Sequence, residues 1–121
     1  MRFRFVILSF TCATGADCPL QGPQSQTLSW GYNLLGDVIA CAGLTPASTD
    51  QVGVDPLFGA YGDNGGLVSS LAILPESPAV DAGDPAGCVD LDGITLSTDQ
   101  RGLPRPVGPR CDVGAFEVQG R

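Results

Sequence analysis

Hydrophobic residues occur in short runs along this chain, and turn-forming residues interrupt them about every ten positions. Each run is bounded by Gly, Pro, Asn or Asp, which is typical of a β-strand. No stretch of a dozen residues combines a 3.6-residue apolar period with an absence of Pro and Gly, so no helix is predicted. The predicted strands are 27–32, 33–35, 51–54, 68–74, 79–80, 94–96 and 113–118.

The first residues fit two interpretations. A basic start (1–4), an apolar run (5–10) and Thr14-Gly15-Ala16 follow one another as they do in a secretory signal peptide. Residues 3–10 equally fit a buried strand of a longer protein that begins upstream. Residues 1–16 are therefore predicted to be a signal peptide or an upstream strand. The apolar run is too short to cross a membrane as a helix.

Composition favours a β-rich chain with many turns. Charged residues make up only 16% of the sequence, while 17 Gly and 10 Pro supply turns. The net charge is −7, and all 6 basic residues are arginines. An acidic surface repels phosphate, so no nucleic-acid partner is predicted, and docking on anionic lipid is disfavoured. Without His or Lys, a catalytic base could come only from carboxylates, tyrosines or arginines.

The 5 cysteines show a repeated spacing. Cys18 and Cys41 lie 23 positions apart, as do Cys88 and Cys111. No C-x-x-C pair and no His are present, so a zinc or thioredoxin-like site is not indicated. We expect two structural disulfides, Cys88–Cys111 and Cys18–Cys41, with Cys12 left over, and hence an oxidising compartment. Buried free thiols are the alternative.

Three blocks of sequence carry a resemblance to a known family. They are GYNLLGD at 31–37, a long block from DQVGVDPL at 50–57 through DNGG at 63–66 to SPAVDAGD at 77–84, and a last block with TDQRG at 98–102, PRP at 104–106 and CDVGAFE at 111–117. In this order they resemble the C-terminal region of bacterial right-handed parallel β-helix repeat proteins, the choice-of-anchor Q domain group.

The resemblance implies an all-β solenoid end. Residues 17–83 would be terminal β-helix coils, and residues 84–121 would be a disulfide-closed C-terminal cap. In that family many coils precede this region and a cell-surface anchor often follows it, so we expect this chain to be a fragment of a longer protein. Its expected partners are upstream coils or a second copy of itself. A carbohydrate or protein at the cell surface is a further candidate partner.

Two sets of residues are assigned structural roles. Arginines and carboxylates near the C-terminus are expected to form the cap through ion pairs, since Arg binds carboxylates bidentately and stays charged when partly buried. A catalytic cluster is the less favoured interpretation. Asn, Asp and Gly residues are expected at tight corners, with the two asparagines hydrogen-bonding backbone amides. The cap set is Asp99, Arg101, Arg105, Asp112 and Glu117, and the corner set is Asn33, Asp63, Asn64, Gly65 and Gly66.

No catalytic residue and no cofactor are assigned. Asp90, Asp92 and Asp99 are weak calcium candidates, because calcium takes several oxygen ligands, but a solvated acidic turn is favoured. The predicted function is a non-enzymatic structural or adhesive module, secreted or at the cell surface. The alternative is the C-terminal cap of a polysaccharide-degrading β-helix enzyme, a lyase or glycoside hydrolase, since fold alone does not decide function.

Overall fold

Short apolar runs between turn residues form short strands in the computed structural model. The structure describes residues 2–3, 7–8, 27–36 and 44–120, and this part of the chain contains strands but no helix. The all-β prediction is confirmed at this level. The strands are β1 (Arg2–Phe3), β2 (Ile7–Leu8), β3 (Thr27–Ser29), β4 (Leu34–Leu35), β5 (Leu44–Thr45), β6 (Gln51–Val52), β7 (Phe58–Gly62) and β8 (Ser70–Ile73).

Four predicted strands are present in shortened form, as β3, β4, β6 and β8. Three predictions were wrong. Residues 79–80 lie in a turn, and residues 94–96 contribute only the isolated antiparallel bridge Val89–Thr95. Residues 113–118 form no strand, because several backbone amides in and around this segment donate to side-chain carboxylates instead of to a neighbouring strand. The predicted second disulfide, Cys18–Cys41, lies outside the described residues.

The first six strands form two parallel sheets. Their orders are β1-β3-β5 and β2-β4-β6, so the chain visits the two sheets in turn. Leu28 pairs with Thr45 in one sheet and Leu34 pairs with Gln51 in the other, so the sequence separation between paired residues is the same in both sheets. The preceding steps, from Arg2 to Leu28 and from Ile7 to Leu34, are longer. Successive stretches of chain therefore lie side by side and in the same direction.

Strands β7 and β8 depart from the predicted parallel arrangement. They pair antiparallel, with Phe58 opposite Ile73 and Tyr61 opposite Leu71. Four residues at the turn, Asp63-Asn64-Gly65-Gly66, lie in the loop that joins the two strands. At Gly65, φ is +97°, a conformation that favours glycine.

A buried asparagine links two neighbouring parallel stretches. Asn33 directly precedes β4 and Asp50 directly precedes β6, so the two residues occupy equivalent positions in successive stretches. Asn33 is 1% exposed, and its backbone N and Nδ2 donate to Asp50 Oδ1 at 2.9 and 3.0 Å. Its Nδ2 also donates to Gly31 O at 3.1 Å. Asn33 is buried, in agreement with its predicted inward position, and its Nδ2 donates to oxygens, while the predicted bonds to backbone amides stay a prediction.

One hydrophobic core joins the parallel sheets to the C-terminal segment. Leu34 of β4 is fully buried and packs in one cluster with Ile73 of β8 and with residues from the following loops, which are Ala79, Val113 and Val118. Val113 N also donates to Ala79 O at 2.8 Å. The C-terminal loops therefore cover the apolar interior that the parallel strands leave, and they bring the predicted cap residues to this end of the molecule.

Candidate functional site

The C-terminal loops contain a buried cluster of charged side chains. Its members are those that the sequence assigned to the cap, and we call them the cap cluster: Asp99, Arg101, Arg105, Asp112 and Glu117. Buried charges are stable only when paired and hydrogen-bonded. The arrangement of their partners therefore decides what this cluster can do.

One half of the cap cluster is the Asp99–Arg101 pair. Asp99 Oδ2 accepts from Arg101 Nη2 at 2.7 Å and from Arg101 Nε at 2.9 Å, and the two side chains are 0% and 7% exposed. Asp99 also accepts from the backbone amides of Arg101, Leu103 and Glu117. The Arg101 guanidinium lies 3.6 Å from the ring centroid of Phe116, which adds a cation–π contact.

The other half is built on Glu117. Its side chain is 0% exposed, and Oε2 accepts from Arg105 Nε at 3.1 Å and from Asp112 N at 3.0 Å, while Oε1 accepts from Val107 N at 2.9 Å. Arg105 Nη2 donates to the carbonyl oxygens of Asp112 and Gly114. Arg101 Nη2 donates to Glu117 O at 2.6 Å and so connects the two halves.

The three carboxylates serve as acceptors for loop amides that have no strand partner. Asp112 Oδ1 accepts from Asp81 N at 2.9 Å and its Oδ2 from Val118 N at 2.6 Å. With Asp99 and Glu117 engaged in the same way, every carboxylate oxygen of the cluster has a donor. A general acid or base must reach a substrate proton, and these groups face the protein's own amides and arginines instead. The cluster is suited to holding loops together.

Hydrogen bonding controls the acidity of Asp99. Burial acts to raise the pKa of this carboxyl, but the Arg101 side chain and the amides of Glu117, Arg101 and Leu103 favour the charged form, and the net shift is downward. The folded protein therefore keeps Asp99 ionised at lower pH than the unfolded chain does.

Acid is expected to destabilise the fold through Asp99. Because its pKa is lower in the folded than in the unfolded state, its contribution is complete above the unfolded pKa of about 3.9 and is lost as pH falls through the folded value. The free energy of unfolding, measured by urea titration across the acid range, should therefore fall less steeply with pH in Asp99→Asn than in wild type. Asp92→Asn, at an exposed aspartate, is the control and should keep the wild-type slope.

The predicted corner at 63–66 lies against the cap cluster. Asn64 O accepts from Arg101 Nη1 at 3.2 Å, and Asn64 Nδ2 donates to Ser70 O at 2.8 Å and to Ala60 O at 3.2 Å. Gly66 packs so closely on Arg101 that an added Cβ would lie 3.1 Å from its Cα. The sequence pattern indicated a corner at Asn64 but gave no sign of its contact with Arg101, which is distant along the chain.

Cys88 and Cys111 form the predicted disulfide, with their Cα atoms 5.8 Å apart. Both residues are buried, at 7% and 4% exposure. Beside them lies a cavity of about 340 Å³, lined largely by apolar groups that include Val89, Leu91, Leu96 and Ala115. Arg105 and Asp112 also reach its wall, but both are engaged within the cap cluster.

The calcium candidates do not converge in the part of the chain that the structure describes. Within that part, no three His, Cys, Asp or Glu side chains form a group that could hold a metal ion. Asp90 Oδ1 accepts from the amides of Asp92 and Ile94, and Asp99 binds Arg101. Arg110, which is close to the cap residues in sequence, pairs with no carboxylate among the described residues, and its Nε is buried without a hydrogen bond there.

Comparisons with protein-family models, with curated proteins and with solved structures found no match to this chain. The interpretation of its function therefore depends on the residues and contacts described above.

Proposed function

We propose that this chain forms the closing C-terminal end of an extracytoplasmic right-handed parallel β-helix and acts as a non-enzymatic structural or adhesive module. One observation carries the proposal: the number of residues between paired positions is the same in both parallel sheets, from Leu28 to Thr45 in one and from Leu34 to Gln51 in the other. The hydrophobic core beside these strands continues into the C-terminal loops. Each coil would contribute one strand to each sheet, and the loops from residue 84 onward would be the cap.

The cap cluster supports this proposal. A stack of coils ends in exposed apolar surface and unpaired backbone, which a terminal unit must cover. Here Gln51 Nε2 of β6 donates to Pro78 O at 2.8 Å, and Leu34 packs against Val113 and Val118. The carboxylates of the cluster bind loop amides that would otherwise be unpaired. These contacts are what closure of a stack requires.

The compartment is inferred from covalent chemistry. A disulfide such as Cys88–Cys111 persists in oxidising surroundings and is rare in reducing ones. No helix in the described part of the chain is long and apolar enough to cross a membrane. The disulfide is compatible with a secreted or surface-exposed protein.

The isolated chain is expected to self-associate through the outer edge of the parallel sheets. Among the described residues, β1 and β2 each pair on one side only, and an unpaired sheet edge is a template for another chain. Light scattering after size exclusion should show mass rising with protein concentration. A charge on an edge strand opposes such pairing, so Ile7→Lys should lower the associated fraction.

The matched control is Leu67→Lys, at the fully exposed tip of the β7–β8 hairpin. Association that is lost in this variant and kept in Ile7→Lys would place the contact on the hairpin and contradict the edge model. A monodisperse wild-type monomer that stays so on heating would contradict it as well. Polysaccharide turnover that disappears in Asp99→Asn or Asp112→Asn would instead favour the enzyme cap.

A further inference from the structure

We propose that Asn64 is a deamidation site whose rate is set by opening of the β7–β8 hairpin, and that the reaction destabilises this hairpin. Asn64 is followed by Gly65, which has no side chain to shield its backbone nitrogen. That nitrogen can attack Cγ of Asn64, forming a new C–N bond and expelling the side-chain nitrogen as ammonia. Water then opens the resulting succinimide to aspartate or isoaspartate, so one water is consumed for each ammonia released.

The folded hairpin holds both reacting groups. Gly65 N, the nucleophile, donates to Asp63 Oδ1 at 3.0 Å. Asn64 Nδ2, the leaving group, donates to Ser70 O at 2.8 Å, to Ala60 O at 3.2 Å and to Gly62 O at 3.4 Å. Ring closure needs rotation of the side chain and release of the amide, so these bonds must break first. The reaction therefore depends on local opening, which requires less free energy than global unfolding.

The product cannot restore the hairpin. A carboxylate at position 64 has no N–H to donate and would face the same three carbonyl oxygens with a negative charge. In isoaspartate the main chain runs through Cγ and is longer by one methylene, and the carbonyl that Arg101 Nη1 binds becomes part of a free carboxylate. Either product thus loses the bonds that Asn64 Nδ2 donates to the three carbonyl oxygens of the hairpin. Isoaspartate also alters the main-chain group that Arg101 binds.

The test compares deamidation in the folded chain and in concentrated urea at the same pH and temperature. Cleavage before aspartates yields peptide 63–80, in which chromatography and mass separate Asn64 from isoaspartate, while the aspartate product adds a cleavage site before residue 64. If opening costs at least about 1.4 kcal/mol, the folded chain should react at least about tenfold more slowly. Asn33, buried and followed by Leu34, is the internal control and should stay unmodified in the folded chain. Equal rates at Asn64 in the two conditions would overturn the proposal.

Two variants separate the steps of the proposal. Asp63→Ala removes the acceptor of Gly65 N at an exposed position and should speed deamidation in the folded chain but not in urea. Asp55→Ala is its matched control, because Asp55 Oδ1 accepts from Leu57 N in the same manner without an Asn-Gly pair. An unchanged rate in folded Asp63→Ala would contradict control by the hairpin. Asn64→Asp mimics the aspartate product, and hydrogen exchange in β7 and β8 as slow as in wild type would contradict the destabilisation of the hairpin.

Discussion

Replacing Glu117 by alanine is expected to lower the free energy of unfolding by about 3–5 kcal/mol, the usual cost of breaking a buried ion pair from one side. Removal of the Glu117 carboxylate would leave the Arg105 guanidinium, which is 8% exposed, without its ion-pair partner. It would also remove the acceptor of the amides of Val107 and Asp112. Small domains are stable by about 5–15 kcal/mol, so the variant should be close to unfolding.

The measurement is equilibrium urea unfolding, followed by circular dichroism and by the fluorescence of Trp30, the single tryptophan. Glu76→Ala is the matched control, because Glu76 is exposed and is the only other glutamate in the chain. It should change stability by less than about 0.5 kcal/mol. A Glu117→Ala protein as stable as Glu76→Ala would mean that the cap cluster contributes little. Glu117→Gln, which keeps one acceptor oxygen, should fall between the two.

Part of this cluster could be anticipated from sequence because arginines and carboxylates are concentrated in one turn-rich segment. Sequence alone could not assign the partners. Glu117 binds the amides of Val107 and Asp112, whereas Asp112 binds those of Asp81 and Val118. Such bonds depend on how loops fold back on each other. The same bonds explain why 113–118 was wrongly predicted as a strand, since its apolar pattern was visible and its hydrogen-bond partners were not.

Strand β7 was missed for a different reason. Gly59 and Gly62 lie within it, and glycine is ordinarily a turn signal. In the hairpin, Gly59 faces Ala72 so closely that an added Cβ would lie 3.3 Å from the alanine Cβ. Its small size therefore serves cross-strand packing, which only the pairing with β8 reveals.

The link between Asn33 and Asp50 was also out of reach of the sequence. The step between parallel stretches is shorter from β4 to β6 than from β2 to β4, so no fixed repeat length connects the three strands. Without a constant period, the sequence does not show which residues occupy equivalent positions in neighbouring stretches. Asn33 could be placed inward from its apolar neighbours, but its acceptor could not be assigned.

The Cys88–Cys111 disulfide matters because the loop that it closes is held otherwise by the polar contacts of the cap cluster and not by apolar burial. Within residues 89–110 the buried side chains are the charged ones of Asp99, Arg101 and Arg105, so apolar burial cannot fix this stretch. A cross-link over a sequence separation of 23 removes conformational freedom from the unfolded chain. The double variant Cys88→Ala/Cys111→Ala is expected to lose about 3 kcal/mol of unfolding free energy.

Urea unfolding under non-reducing conditions measures this loss, and cleavage before aspartates tests the bond itself. In the oxidised protein, peptide 84–89, which contains Cys88, should be recovered joined to peptide 99–111, which ends at Cys111. A reductant should lower the unfolding free energy of the wild type by more than that of the double variant. Any decrease in the double variant can come only from Cys12, Cys18 and Cys41. Free Cys88 and Cys111 in oxidised, folded protein would remove the main chemical support for the extracytoplasmic proposal. If the two peptides are joined but the double variant loses less than about 1 kcal/mol of unfolding free energy, the cap cluster alone holds the loop.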